Sequence, residues 1–276
     1  MTEVIAEMGI NFNGDMEIAK KMIDVAYAAG IDYVKFQKRD IDLVYTKEEL
    51  DKPRESPWGT TTREQKQGLE FNRTQYCQID DYCREKDIAW FASVWDRKSA
   101  DFILNFHSVP LMKIPSALIT DLELLDCCAN HPHWRPIILS TGMSTLDMVD
   151  KAIDVIGMNK IYCIMHCTST YPTDISEMNM KCVPNLREKY PWTKIGFSNH
   201  YPGLMGMVMA LNYDADMLEF HMTLDRASYG SDQAASIEPQ GVFKLLEYKC
   251  LIESMKGNGI KEIYKSELPI MAKLRR

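Results

Sequence analysis

Lys35 in DYVKFQ, Lys113 in LMKIPS, Glu7 in IAEMG and Glu219 in MLEFHMT each interrupt a short apolar run, where a charged side chain is rare unless it is paired. His200 ends KIGFSNH and His221 stands in MLEFHMT, while Ser116, Ser140, Ser169 and Ser198 fall in or just after four such runs. The lysines supply positive charge and the serines hydroxyl donors, a combination that suits a phosphate ester. Two neutral imidazoles with open positions suit a divalent ion that polarises a carbonyl. Each residue alone is better explained as a hydrogen-bonded or ion-paired core group. Their convergence on one rim favours a functional site.

The elements that must position them alternate along the chain. Strand-length apolar runs at 3–9, 32–37, 88–93, 111–116, 136–142, 161–167, 194–200 and 217–223 alternate with helix-length amphipathic stretches at 15–30, 72–86, 96–105, 120–130, 178–190, 203–213 and 239–257. In the first helix Ile18, Met22, Ile23 and Ala26 share a face, Asp15 is placed to cap it and Gly30 to end it; Ser144 is placed to cap the helix after the fifth strand. A long polar loop is expected from 38 through ESPWGTTTREQ. Strand-then-helix units in one run predict a parallel sheet with right-handed crossovers. Eight units can close, and no Gly-x-Gly-x-x-Gly turn supports an open nucleotide-binding sheet. We therefore expect a single (β/α)8 TIM barrel over residues 1–276, an α/β fold. Strand alternation then turns Glu7, Lys35, Lys113, Ser140, Ser198, His200, Glu219 and His221 inward, toward the strand ends where barrel active sites are built.

Composition narrows the class further. With 46% hydrophobic and 26% charged residues, the 276-residue chain is ordinary globular protein, not a disordered tract. A net charge of −7 without a Lys/Arg run argues against nucleic acid or an anionic membrane as partner. The N-terminus shows no signal-peptide pattern, and none of the eight cysteines forms a Cys-x-x-Cys pair, so reduced thiols in a cytoplasmic protein are expected. Cys163, His166 and Cys167 match no common zinc spacing and read as strand residues.

The segments IAEMGINFNGDMEIAKKMIDVAYAAGIDYVKFQ, MKIPS, PIILSTGM, HCTSTYPT, IGFSNH and LEFHMTLDRASYGSDQAASIEP occur in order across nearly the whole chain. With them the sequence resembles the sialic acid synthases, which condense phosphoenolpyruvate with an N-acetylhexosamine. The resemblance implies that Lys35, Lys113, Ser116, Ser140, Ser169 and Ser198 hold phosphoenolpyruvate. It implies Mn²⁺, or else Mg²⁺ or Co²⁺, on His200 and His221. It assigns Glu7, Gln37, Tyr171 and Asp232 to the open-chain aldose, and a homodimer to the assembly.

Three departures stand against the family pattern. NFNG replaces NHNG, so Phe12 takes the place of a loop histidine. KIPSAL replaces KIGSGE, so Leu118 stands where a carboxylate serves the reacting carbon; Glu7, Glu219, Asp232 and the substrate phosphate are the groups able to take over. The sequence stops at KLRR, where family members continue into a small antifreeze-like domain that supplies an arginine to the partner's sugar site. The sugar pocket is therefore expected to be more open, or covered by the 51–70 loop. The same chemistry on another aldose, a metal-dependent aldolase and a non-catalytic sugar-binding barrel are the competing readings.

Overall fold

A computed structural model describes residues 2–275. Eight parallel strands close in the order β1-β10-β9-β8-β7-β6-β5-β2. They are β1 Glu3–Gly9, β2 Tyr33–Lys38, β5 Ala89–Val94, β6 Met112–Ile114, β7 Ile137–Ser140, β8 Ile161–His166, β9 Lys194–Asn199 and β10 Met217–His221. Two further strands, β3 Pro53–Ser56 and β4 Gly59–Thr61, pair antiparallel outside the barrel. The helices are α1 Met16–Ala29, α2 Ile41–Val44, α3 Lys47–Leu50, α4 Thr62–Leu69, α5 Arg73–Lys86, α6 Arg97–Leu104, α7 Leu122–Ala129, α8 Leu146–Ile156, α9 Cys182–Lys189, α10 Met205–Asn212, α11 Pro239–Lys256 and α12 Leu268–Leu274. Among the described residues no helix is long and apolar enough to cross a membrane.

The expected barrel is the observed one, because its strands are buried on both faces. Val4, Ala6, Val34, Phe36, Leu218 and Phe220 are fully buried, as a strand covered by a helix layer requires. Helix α1 meets them with Ala19, Met22, Ile23 and Ala26; the Asp15 carboxylate accepts from the Glu17 and Ile18 amides, and Gly30 ends the helix at φ 77°. A side-chain cap of this kind is worth about 1 kcal/mol. Inside the barrel Gly196 has no room for a side chain: a Cβ there would lie 2.9 Å from the Met217 carbonyl oxygen and 3.1 Å from Cys163 Sγ. Cys163 is thus interior packing, and the His166 ring bonds the Met178 carbonyl at 2.8 Å.

Two local expectations are corrected. The stretch after β2 is not a bare loop: it holds α2, α3, the β3–β4 hairpin and α4, and Thr46 and Thr61 form capping boxes with Glu49 and Glu64. Short turns of this kind carry too little hydrophobic periodicity to be read as helices. The cap of α8 is Thr145, without a side-chain bond, because the Ser144 hydroxyl donates instead to the Gly142 carbonyl at 3.0 Å.

Candidate active site

The polar residues meet at the C-terminal mouth of the barrel around a cavity of about 140 Å³. Strand register brings them together: Glu7 stands level with Lys35 on one side and His221 on the other, and Glu219 stands level with Ser198. The cavity wall includes Lys35, Lys113, Ser116, Ser140, Ser169 and Ser198, joined by Gln37, Tyr171, Glu219, His200 and His221. Glu7 and Asp232 stand behind this wall. Glu7 is fully buried and reaches the cavity through Lys35 and Gln37, while the Asp232 carboxylate lies 3.6 Å from His221 Nδ1.

The positive charge expected of the lysines is present but compensated by carboxylates inside the barrel. Lys35 is paired with Glu7 and lies 3.5 Å from Glu219, and Lys113 Nζ lies 2.5 Å from Glu219 Oε1. Two ammonium groups thus face two carboxylates. The reason is electrostatic: an unpaired lysine so deeply buried would give up its proton. Burial alone would raise the Glu219 carboxyl, but Lys113 and Lys35 outweigh it and hold it down at about 2. Burial lowers Lys35, yet Glu219 and Glu7 outweigh it and leave the ammonium favoured. For Lys113, burial and the neighbouring Lys35 prevail and the shift is downward, although Glu219 opposes it. The 2.5 Å contact to a carboxylate held so low marks Lys113 as the ammonium partner of an ion pair. An anionic ligand entering this cavity therefore competes with Glu7 and Glu219 for the lysines.

The hydroxyl side of the cavity is built around Gly142. Its amide donates to Ser116 Oγ at 3.0 Å. A Cβ at this position would stand 2.1 Å from Ser169 Oγ and 2.8 Å from Ser116 Oγ, so only glycine lets the two loops close together. Cys167 Sγ lies 3.1 Å from Ser116 Oγ. Ser140 Oγ is buried without a hydrogen-bond partner among the described residues, a donor held ready for a ligand. Sequence reasoning passed over Gly142, Ser93 and Trp95, and it read Cys167 as a strand residue where the structure sets it just past β8 in the cavity wall. Ser93 accepts from Lys35 Nζ at 2.9 Å, and Trp95 lines the wall beside it. Gly142 follows a strand and a threonine in PIILSTG, a glycine that could have been singled out as a close-approach position.

The two imidazoles have ring centroids 5.5 Å apart. His200 Nδ1 meets the Thr168 carbonyl at 2.7 Å, so that nitrogen carries the proton and Nε2 keeps its lone pair, which accepts from the Tyr171 hydroxyl at 2.9 Å. Burial and the adjacent His221 push His200 down to about 3, so it is neutral at ordinary pH. His221 Nδ1 is buried with no hydrogen-bond partner among the described residues. A neutral ring locked in one tautomer by a backbone carbonyl is the usual form of an imidazole metal ligand. Among the described residues no group of three or more His, Cys, Asp or Glu side chains is arranged to hold an ion.

The departures have structural consequences. Phe12 is buried and stacks on Phe71 at 4.3 Å between ring centroids, so it joins the packing under the first loop. Leu118 packs against the hydrophobic core, and Ala117 rather than Leu118 lines the cavity from that turn. The β3–β4 hairpin does not cover the cavity: Trp58 packs on Tyr229 at 5.8 Å, and no residue from 51–70 is in the wall.

The NeuB family model matches residues 22–261. The chain is 32% identical over 274 residues to N-acetylneuraminate-9-phosphate synthase of Homo sapiens, covering 98% of this chain and 76% of that protein. It is 31% identical to N,N'-diacetyllegionaminic acid synthase of Legionella pneumophila, covering 99% and 78%. Among solved structures it is similar to the N-acetylneuraminic acid synthetase of Leptospira borgpetersenii, with a TM-score of 0.84, 26% identity, and coverage of 100% and 93%.

Proposed function

The chain belongs to the NeuB family, and on that premise we propose that it condenses phosphoenolpyruvate with an aldose of the N-acetylmannosamine type, giving a 2-keto-3-deoxy sugar acid and phosphate. The observation that carries this reading is the pairing, in one cavity, of a hydroxyl-rich anion pocket with two lysines and a facing pair of imidazoles.

Ser116, Ser140, Ser169, Ser198 and the two lysines hold the phosphate and carboxylate of phosphoenolpyruvate. His200 and His221 are the residues that would hold a divalent ion, Mn²⁺ before Mg²⁺ or Co²⁺. When bound, such an ion supplies Lewis acidity toward the aldehyde oxygen. In the reaction the C2–C3 double-bond electrons of phosphoenolpyruvate form the new bond to the aldehyde carbon, and the aldehyde oxygen takes a proton. Water adds to C2 and loses a proton; the C2–O bond to phosphate then breaks as the C2 hydroxyl becomes the ketone and releases its proton.

The residues divide these tasks by what already engages them. Glu219 is held by Lys113, Lys35 and Ser198, which makes it a poor base and a good anchor for the lysines. Glu7 is held by Lys35 and Gln37 and plays the same part on the other side. Asp232, beside His221, is the carboxylate least committed to cations, and we assign it the proton transfer that Leu118 cannot perform. Gln37 and Tyr171 face the cavity and orient the aldose.

The relatives' names span more than one acceptor, so a diacetamido sugar is the second reading for the acceptor. We propose a homodimer through the barrel helices, supported by the exposed Phe243, Leu251 and Met255 of α11. Mass spectrometry of the reaction mixture tests the function: the product must be the aldose lengthened by three carbons. Pyruvate formed from a keto acid, with no use of phosphoenolpyruvate, would instead establish an aldolase.

A further inference from the structure

Arg39 belongs to none of the groups assigned above, yet it is 6% exposed and sits directly behind the cavity wall. Its guanidinium donates to Gln37 Oε1 and, at 3.2 Å, to the Tyr45 hydroxyl; its Nε lies 3.1 Å from Glu70 Oε1, and its plane lies 4.8 Å from the Trp95 ring centroid. On the other side of the same amide, Gln37 Nε2 donates to Glu7 Oε1 at 2.8 Å.

A glutamine amide can ordinarily turn over, exchanging its oxygen and nitrogen at little cost. Here both ends are tied to groups of opposite demand. A turned amide would set its NH2 against a guanidinium, which only donates, and its oxygen against a carboxylate, which only accepts. We infer that Arg39 is a positioning residue that locks the Gln37 amide with its oxygen on the guanidinium and its nitrogen on Glu7, so that the second Nε2–H is a donor reserved for an oxygen of the aldose. Gln37 then selects an acceptor bearing a carbonyl or hydroxyl oxygen at that point and rejects one presenting an N–H. This rests on the aldose-binding role proposed for Gln37.

Removing Arg39 does not strand its partner, because Lys38 Nζ also reaches Glu70, at 3.1 Å. The test compares Arg39→Met and Arg39→Lys in the full chain, alone and in a Gln37→Met background. The readouts are KM for N-acetylmannosamine, or for whichever aldose releases most phosphate, KM for phosphoenolpyruvate, and the side-chain ¹⁵N–¹H signals of Gln37. Arg39→Met is expected to raise the aldose KM by about tenfold while the phosphoenolpyruvate KM stays within about twofold, and to move the Gln37 amide signals. Arg39→Lys, which returns a donor to Gln37 Oε1, restores both. With Gln37→Met in place, Arg39→Met adds no further change to the aldose KM. Unmoved amide signals in Arg39→Met overturn the inference, as does an equal rise in both KM values or a full effect that persists without Gln37. If the wild type turns over no aldose, the functional reading fails by itself, and the amide signals still decide whether Arg39 holds Gln37.

Discussion

Lys113 Nζ and Glu219 Oε1 meet at 2.5 Å inside the barrel, 106 residues apart in sequence. Each is nearly inaccessible to water, so removing one strands the other. Lys113→Met should cost roughly 3 kcal/mol of unfolding free energy, at the low end for a broken buried pair because Lys35 remains near Glu219. Adding Glu219→Gln should return part of that loss. Urea denaturation of the two variants checks it; a double variant no more stable than Lys113→Met would show that the stranded charge is not the cause.

The same pair sets an acid limb. The folded Glu219 carboxyl is held near 2 against an ordinary value of 4.5, so its stabilisation is fully present above about 4.5. It is lost as pH falls from there through the folded value. In chelator, the wild type should lose stability over that window more steeply than Glu219→Gln. Parallel pH profiles for the two proteins would contradict this sign.

Gly142→Ala places a methyl group where Ser169 Oγ and Ser116 Oγ now converge. The loops must part, and calorimetric affinity for phosphoenolpyruvate should fall by about tenfold or more, some 1.4 kcal/mol. Thermal stability should change little, because the loops lie at the barrel mouth. Unchanged affinity would remove Gly142 from the anion pocket.

What could be read from the sequence, and what could not, divides along contact distance. The barrel was legible because a doubly buried strand such as PIILSTG or KIGFSNH announces itself locally, and because a lysine, glutamate or histidine within such a run has to point inward. The partners of those side chains were not legible. Lys113 and Glu219 stand on β6 and β10, which only closure of the barrel sets face to face, and the pairing of Lys35 with Glu7 on neighbouring strands depends on their register. Arg39 stands only two residues from Gln37 but was passed over because it follows β2 in a polar stretch, and only the fold brings Glu70 and Trp95 around it. Leu118 was located correctly in sequence, but its packing into the core is decided by the Ser116–Leu118 turn.

The imidazole pair carries the expectation of a metal. Mn²⁺ added to chelated protein should give a bound-ion signal by electron paramagnetic resonance, with affinity falling by at least about tenfold in His221→Ala, which leaves one of two protein ligands. Activity should vanish in chelator and return with Mn²⁺, Mg²⁺ or Co²⁺. Equal Mn²⁺ binding by wild type and His221→Ala would place the ion elsewhere.

Phosphate release measured across a panel of aldoses, including N-acetylmannosamine, its phosphate ester and a diacetamido hexose, with phosphoenolpyruvate and Mn²⁺ present, decides whether this protein carries out the condensation. The prediction is stoichiometric phosphate with at least one aldose, and none with phosphoenolpyruvate or the aldose alone. A protein that binds phosphoenolpyruvate but releases no phosphate with any member of the panel would contradict it and leave a sugar-binding barrel without the reaction.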